Sequence, residues 1–183
     1  MKKIILLDPG HGMSNRRRNV YDSGATAGGA EEATVCMDWV NVLRAILIAR
    51  GCRVIRTRKD AKDPAPVTAR AGIARQYAGE IMLCIHCNDA DGTATGTEAF
   101  YRGRSNKPQA SAIGQAVATT LGLRFRGAKT EKESQHPNLA VMAFQPCFLV
   151  ELGFIDNDKD RAAMLDPVKR EKACQLLADL ITA

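Results

Sequence analysis

Two histidines and a glutamate stand in this chain where they could do chemistry. His11 lies in the run Asp8-Pro-Gly-His-Gly, Glu32 heads an amphipathic segment, and His86 sits in Ile85-His-Cys-Asn88. Two neutral imidazoles and one carboxylate are the ligand set of an open catalytic zinc site, which leaves a fourth position for water or a substrate carbonyl. A further carboxylate, Glu151, closes the apolar run Phe148-Leu-Val-Glu. The chain has 3 histidines in all. The third, His136, precedes Pro137 in a polar stretch, where simple exposure is the expectation and substrate contact the alternative.

Such groups need elements to hold them. Lys3 to Asp8 reads as a buried strand ended by Pro9-Gly10. Residues 9 to 30, rich in Gly, Asn, Ser and Arg, form a long loop, a length that usually signals function. Glu31 to Arg50 reads as a helix closed by Gly51, followed by a strand at Arg53 to Thr57. After Asp63-Pro-Ala-Pro66 come a helix near Val67 to Tyr77, strands at Ile81 to His86 and Thr97 to Tyr101, and a helix from Lys107 to Leu121. A polar, charged loop leads to two strand-like runs, Leu139 to Met142 and Phe148 to Glu151, and then to two helices split near Asp166-Pro167. Strands alternating with helices predict one α/β domain, residues 1–183, with a mixed, mostly parallel sheet covered on both faces. In such sheets the binding crevice lies at the carboxyl ends of the strands, which is where His11, His86 and Glu151 fall.

Helix periodicity separates Glu32 from Glu31. Thr34, Asp38, Asn41 and Ala45 share one stripe, and Cys36, Val40, Leu43 and Leu47 lie opposite. Glu32 projects onto the apolar side, where a carboxylate is costly unless it meets a cation or a donor. Stabilisation of the helix N-terminus would explain either residue taken alone; the two histidines shift the balance toward metal.

With 183 residues and 45% apolar content the chain can bury a real core. No apolar run is long enough to span a bilayer, and Lys2-Lys3 is not followed by the apolar region of a secretory signal, so cytoplasmic synthesis is expected. The 6 cysteines are expected to be reduced and mostly buried. The charge of +6 is partly local, in Arg16-Arg17-Arg18 and in Arg124, Arg126, Lys129 and Lys132, which suits an anionic partner such as a bacterial envelope or simply a solvated surface. Aromatics are sparse and no nucleic-acid motif occurs, so nucleic acid ranks low. Cys84 and Cys87 have metal-site spacing, yet on a strand they point to opposite faces and read as packing residues. Glu98, in Gly96-Thr-Glu-Ala, reads as one face of an edge strand, without support for a site role.

Taken together, these segments resemble the zinc-dependent N-acetylmuramoyl-L-alanine amidases, the catalytic domains of bacterial cell-wall hydrolases and phage endolysins. The likeness runs nearly end to end, through Ile-Leu-Leu-Asp8-Pro-Gly-His11-Gly, Asp22-Ser-Gly, Glu32, Val54-Ile-Arg-Thr-Arg58, Arg70, Cys84-Ile-His86-Cys-Asn88, Gly96-Thr-Glu and Pro146-Cys-Phe-Leu-Val-Glu151-Leu-Gly-Phe-Ile-Asp-Asn157. Met13 stands where a second glycine is frequent, and Cys84 and Cys87 replace residues that are often serine and alanine. The resemblance implies that His11, Glu32 and His86 hold zinc, that Glu151 is the catalytic acid/base, and that the substrate is peptidoglycan, cut between N-acetylmuramic acid and L-alanine. A phage or prophage endolysin, made in the cytoplasm and released at lysis, is the first expectation for its role, and a mother-cell lytic amidase the second. Another zinc peptide hydrolase and a non-catalytic wall-binding domain are the alternatives in kind.

Overall fold

The computed structural model describes residues 2–77, 80–134, 139–144 and 146–183, leaving aside the side chain of Ala74. His136 lies outside the described residues. In chain order the elements are β1 (Ile4–Pro9), β2 (Gly12–Met13), β3 (Tyr21–Asp22), β4 (Thr26–Ala27), β5 (Ala30–Glu31), α1 (Glu32–Ala49), β6 (Arg53–Arg56), α2 (Val67–Gln76), β7 (Ile81–Asn88), β8 (Thr97–Tyr101), α3 (Lys107–Leu121), β9 (Phe125–Thr130), β10 (Cys147–Phe154), α4 (Asp158–Leu165) and α5 (Pro167–Thr182).

One six-stranded sheet, in the order β6-β1-β7-β10-β8-β9, organises the molecule. All neighbours run parallel except β10 and β8, so the sheet is mixed and mostly parallel, as the alternation of elements predicts. The central strands carry near-continuous apolar runs because both of their faces are buried. One face, including Ile5, Leu7, Leu83, Ile85, Phe148 and Val150, packs against α1, α3 and α5 through Trp39, Leu43, Ile113, Val117 and Leu177. The other, including Leu6, Met82, Cys84, Phe100, Cys147 and Leu149, is covered more thinly, by Val67 and Tyr77 at the ends of α2 and by Val141, Met142 and Phe144. Cys84 and Cys87 thus enter different clusters, as strand alternation requires. Among the described residues no helix is long and apolar enough to cross a membrane.

Helix boundaries follow their caps. α1 is followed by Gly51 at φ +84°, and Gly122 closes α3 at φ +73°, conformations open to glycine at little cost. Asn157 caps α4 and Asp166 caps α5, each accepting two backbone N–H bonds, and Pro167 fits the first position of α5.

Three expectations need correction. The stretch after Leu121, expected as a charged loop, contains β9, which pairs with β8 as the edge strand. Glu98 therefore lies on an interior strand. Leu139 to Met142, expected as a strand, gives way to a 3-10 turn at Ala140–Ala143. Its apolar residues serve as a lid on the thin face, because β7 and β8 already occupy both sides of β10. The loop of residues 9 to 30 holds two small hairpins, β2-β3 and β4-β5.

Asp160, fully buried on α4, fastens the C-terminal half. It accepts hydrogen bonds from the Gly96 N–H at 2.8 Å, the Thr95 hydroxyl at 2.6 Å and the Phe154 N–H at 3.0 Å. Asp160→Ala would strand these donors, two of them in the protein interior, and is expected to lower stability by about 2–4 kcal/mol, read from the urea midpoint at unchanged m-value.

Candidate metal centre and active-site groove

Strand alternation builds the floor of the site. On the thinly covered face, Met82 and Cys84 on β7 are followed two residues on by His86, and Cys147 and Leu149 on β10 by Glu151. On β8, Glu98 shares the face of Phe100. The register sets Glu151 opposite His86 on one side and opposite Glu98 on the other, so three ionisable side chains lie abreast across three strands. β7 and β10 both continue past these residues, to Asn88 and Phe154, so neither His86 nor Glu151 is the last residue of its strand. A register shift between Glu151 and Phe154 marks the exit.

His11 arrives from the turn after β1, in a left-handed conformation at φ +57° that is costly for a residue with a Cβ. Two buried arginines hold that turn. Arg58 donates to the carbonyls of Pro9 (3.0 Å), Gly10 (2.7 Å) and Ala33 (2.7 Å), tying it to the first turn of α1. Arg70 donates to both oxygens of buried Asp8 at 3.1 Å and to the Pro9 carbonyl at 3.1 Å. Asp8 also accepts the Thr57 hydroxyl at 2.5 Å.

Glu32 reaches the site from the head of α1 and is 3% exposed, in agreement with the helix-face reading. Its two oxygens face two imidazoles: His11 Nε2 lies 3.0 Å from Oε2 and His86 Nδ1 lies 3.0 Å from Oε1. Backbone N–H groups hold the same oxygens, from Ala25 at 3.0 Å and Cys87 at 2.9 Å. The donor atoms of His11, Glu32 and His86 all fall within 4.8 Å of one another, an arrangement that could hold a metal ion. Burial alone would lower the His11 pKa, but the Glu32 and Asp22 carboxylates beside it leave it raised. Burial works against the ionised form of Glu32, yet the hydrogen bonds from both imidazoles carry its carboxyl well below the usual range. Each group favours the charge that its neighbour needs.

Two glycines make this approach possible. A Cβ on Gly10 would sit 2.5 Å from the His86 ring, and one on Gly24 would sit 2.5 Å from Glu32 Oε2 and 2.7 Å from the His11 ring. Behind His11 a polar chain leads into the core. Its Nδ1 is 3.2 Å from Asp22 Oδ2, an ion-pair distance without the alignment of a hydrogen bond. Asp22 Oδ2 accepts from Asn15 Nδ2 at 2.6 Å, and Asn15 Oδ1 accepts from Arg70 Nη2 at 2.8 Å.

Glu151 adjoins this cluster. Its Oε2 is buried with no hydrogen-bond partner among the described residues. Burial, then the charges of Glu32 and Glu98, push its carboxyl well above the ordinary value. A raised carboxyl pKa suits a group that must give a proton to a leaving group. Glu98 is 4% exposed and paired with Arg126 and Lys129 of β9. All these groups line one groove of about 980 Å³. Expectation left a site role for Glu98 unsupported, read Arg126 and Lys129 only as part of a basic stretch, and gave Asn15 and Gly24 no role of their own; the signal for Glu98 was its alternation with Phe100.

This fold and groove match a known family. The family model for N-acetylmuramoyl-L-alanine amidases matches residues 5–183, so the chain belongs to that family. It is 29% identical over 187 residues to the N-acetylmuramoyl-L-alanine amidase LytC of Bacillus subtilis, which covers 97% of this chain but 34% of that protein. It is 29% identical over 163 residues to the sporulation-specific N-acetylmuramoyl-L-alanine amidase of the same organism, covering 85% of this chain and 58% of that one. The chain thus spans about a third of LytC and rather more than half of the sporulation protein. Among solved structures, the catalytic domain of CwlV, an N-acetylmuramoyl-L-alanine amidase from Bacillus (Paenibacillus) polymyxa var. colistinus, superposes with a TM-score of 0.84 at 26% identity, covering 98% of this chain and 96% of that one.

Asn15 bonds both Asp22 and Arg70, so its removal should loosen His11 without touching it. Asn15→Ala is expected to keep the far-UV circular dichroism spectrum and to weaken zinc affinity about 10- to 100-fold, measured by competition with a chromogenic chelator.

Proposed function

We propose that residues 1–183 form the catalytic domain of a zinc-dependent N-acetylmuramoyl-L-alanine amidase acting on peptidoglycan. His11, Glu32 and His86 would hold the zinc and Glu151 would act as acid/base. The observation that carries this reading is a buried carboxylate with one imidazole on each oxygen, beside a second carboxyl, Glu151, whose Oε2 is buried and which lies opposite His86 on the neighbouring strand. A buried donor set of two nitrogens and a carboxylate fits zinc, and Asp22 behind His11 supplies the carboxylate that orients a ligating imidazole.

When bound, zinc would make a water acidic near neutral pH and polarise the scissile carbonyl. Beside the bound cation the Glu151 carboxyl would ionise, so that it could take a proton from the attacking water and return it to the departing L-alanine nitrogen, since an amide leaves poorly until it is protonated. Burial of Oε2 keeps that carboxyl poised for the delivery. Glu32 keeps both imidazoles turned inward, and the arginine-held turn keeps His11 aimed.

For the biological role the endolysin reading stands as a proposal from sequence. One observation favours the second reading, lysis of the bacterium's own wall: relatives carry the names of sporulation-specific and germination-specific amidases of Bacillus subtilis. The exposed Arg16-Arg17-Arg18 segment would assist attraction to anionic envelope polymers in either case.

Zymography on purified sacculi, with mass spectrometry of the products, tests the reaction. New lactyl carboxyl groups and free L-alanine amino termini are expected; cleavage within the peptide instead would mean a different bond. A chelator should abolish the activity and zinc should restore it, whereas full lysis by metal-free protein would overturn the metal reading. Glu151→Gln should keep its zinc and lose two to four orders of magnitude in rate; near-normal turnover would move proton transfer elsewhere.

A further inference from the structure

We infer that the β8–β9 wall of the groove is a carboxylate-binding subsite, formed by Arg126 and Lys129 around Glu98, for the stem peptide on the leaving side of the scissile amide. The inference rests on the amidase reading above.

Residues three apart on a regular strand face opposite sides of the sheet. Arg126 and Lys129 are three apart on β9, yet both reach Glu98 Oε1, Arg126 through Nε and Lys129 through Nζ at 3.0 Å. The register explains how. Thr97 pairs with Phe125 and Ala99 pairs with Ala128, so two steps on β8 meet three on β9. The extra residue is a β-bulge at Arg126-Gly127, with Gly127 at φ +106°. A Cβ on Gly127 would meet nothing within 4 Å, so the glycine is needed for its backbone angle rather than for space. The bulge turns a second cation into the groove, where a plain edge strand would have sent it to the opposite face.

One cation would pair one buried carboxylate. The second gives the wall donors beyond those Glu98 needs. Arg126 is held in place: its guanidinium lies 5.0 Å above the Phe154 ring and Nη1 donates to the Thr95 carbonyl at 3.2 Å. Of the eight N–H donors on a guanidinium and an ammonium, Glu98 and Thr95 take fewer than half. The two side chains keep 34% and 29% of their surface exposed and line the same groove as His11, Glu32 and Glu151. The other carboxylate on this wall, Glu133, is solvent-exposed and already accepts the Thr130 N–H and hydroxyl.

Substrate chemistry identifies the anion. The carboxyl of N-acetylmuramic acid is consumed in the scissile amide, so the carboxylates within reach lie on the peptide that departs with L-alanine. A fixed guanidinium beside an ammonium suits such a planar, singly charged group. This orients the substrate, with its peptide along β8–β9 and its glycan on the side of the His11 turn.

The test measures binding, using Glu151→Gln protein so that ligands survive. Isothermal titration calorimetry compares muramoyl-L-alanyl-glutamate with its diamide. The acid is expected to bind about tenfold more tightly, with the preference lost in Lys129→Gln and regained in Lys129→Arg. Equal affinity for acid and diamide, or a preference that survives in Lys129→Gln, would show that the two cations serve only to neutralise Glu98. Should wild-type protein fail to expose L-alanine amino termini in sacculi while the acid preference holds, the amidase reading falls and the subsite stands.

Discussion

A buried ion pair at the end of the first strand is the constraint from which the site follows. Asp8 is fully buried, and a carboxylate in that position is costly unless every lone pair has a partner. Arg70 and Thr57 supply those partners, and Arg70 reaches on to the Pro9 carbonyl and to Asn15. One charge therefore ties together β1, the end of β6, α2 and the loop that carries Asp22. The turn at His11 is unfavourable in isolation and persists because this network and Arg58 over-determine it. The geometry of the donor cluster is thus set from beneath, by groups that never touch a substrate.

Above that foundation, the cluster is balanced around one acid. Glu32 is buried and ionised, and the favourable partners for its two oxygens are imidazolium protons or a divalent cation. Protons and a bound metal ion would compete for the same nitrogens, which would couple occupancy of the cluster to pH. Glu151 feels the same field with opposite result. It has no cation of its own among the described residues, and burial, followed by the neighbouring carboxylates, raises its pKa. The contrast between these two glutamates, one at the head of α1 and one on β10, arises from placement alone.

Much of this was legible in the chain. Helix periodicity picks Glu32 over Glu31, and the structure places Glu32 in the cluster while Glu31 accepts the Tyr21 hydroxyl at 2.9 Å outside it. Strand alternation separates Cys84 from Cys87 and puts His86 and Glu151 on one face. What escaped was non-local or broke a period. β9 was hidden because the bulge at Gly127 destroys the alternation by which a strand is read, leaving Phe-Arg-Gly-Ala-Lys-Thr to look like a polar loop. With β9 unseen, Glu98 seemed to lie on an edge. The 3-10 turn at Ala140–Ala143 was mistaken for a strand because apolar content reports burial and not the presence of a ladder to join. The Arg70-Asn15-Asp22 chain joins residues up to 55 positions apart, a pairing no local pattern encodes.

The cysteines carry a consequence of their own. Cys84 and Cys147 lie side by side on the thin face, their sulfurs 3.7 Å apart, and Cys36 and Cys87 are neighbours on the other. These four and Cys174 are buried, while Cys52 alone is partly open to solvent. Burial raises the thiol pKa of Cys36, Cys84 and Cys174, and the contact with Cys36, then burial, raises that of Cys87; the thiolate is the reactive form. The sheet therefore contains a built-in record of its own opening: an alkylating reagent meets Cys52 in the native molecule and the others only when strands or helices part, so the order of labelling follows the order in which the layers come away.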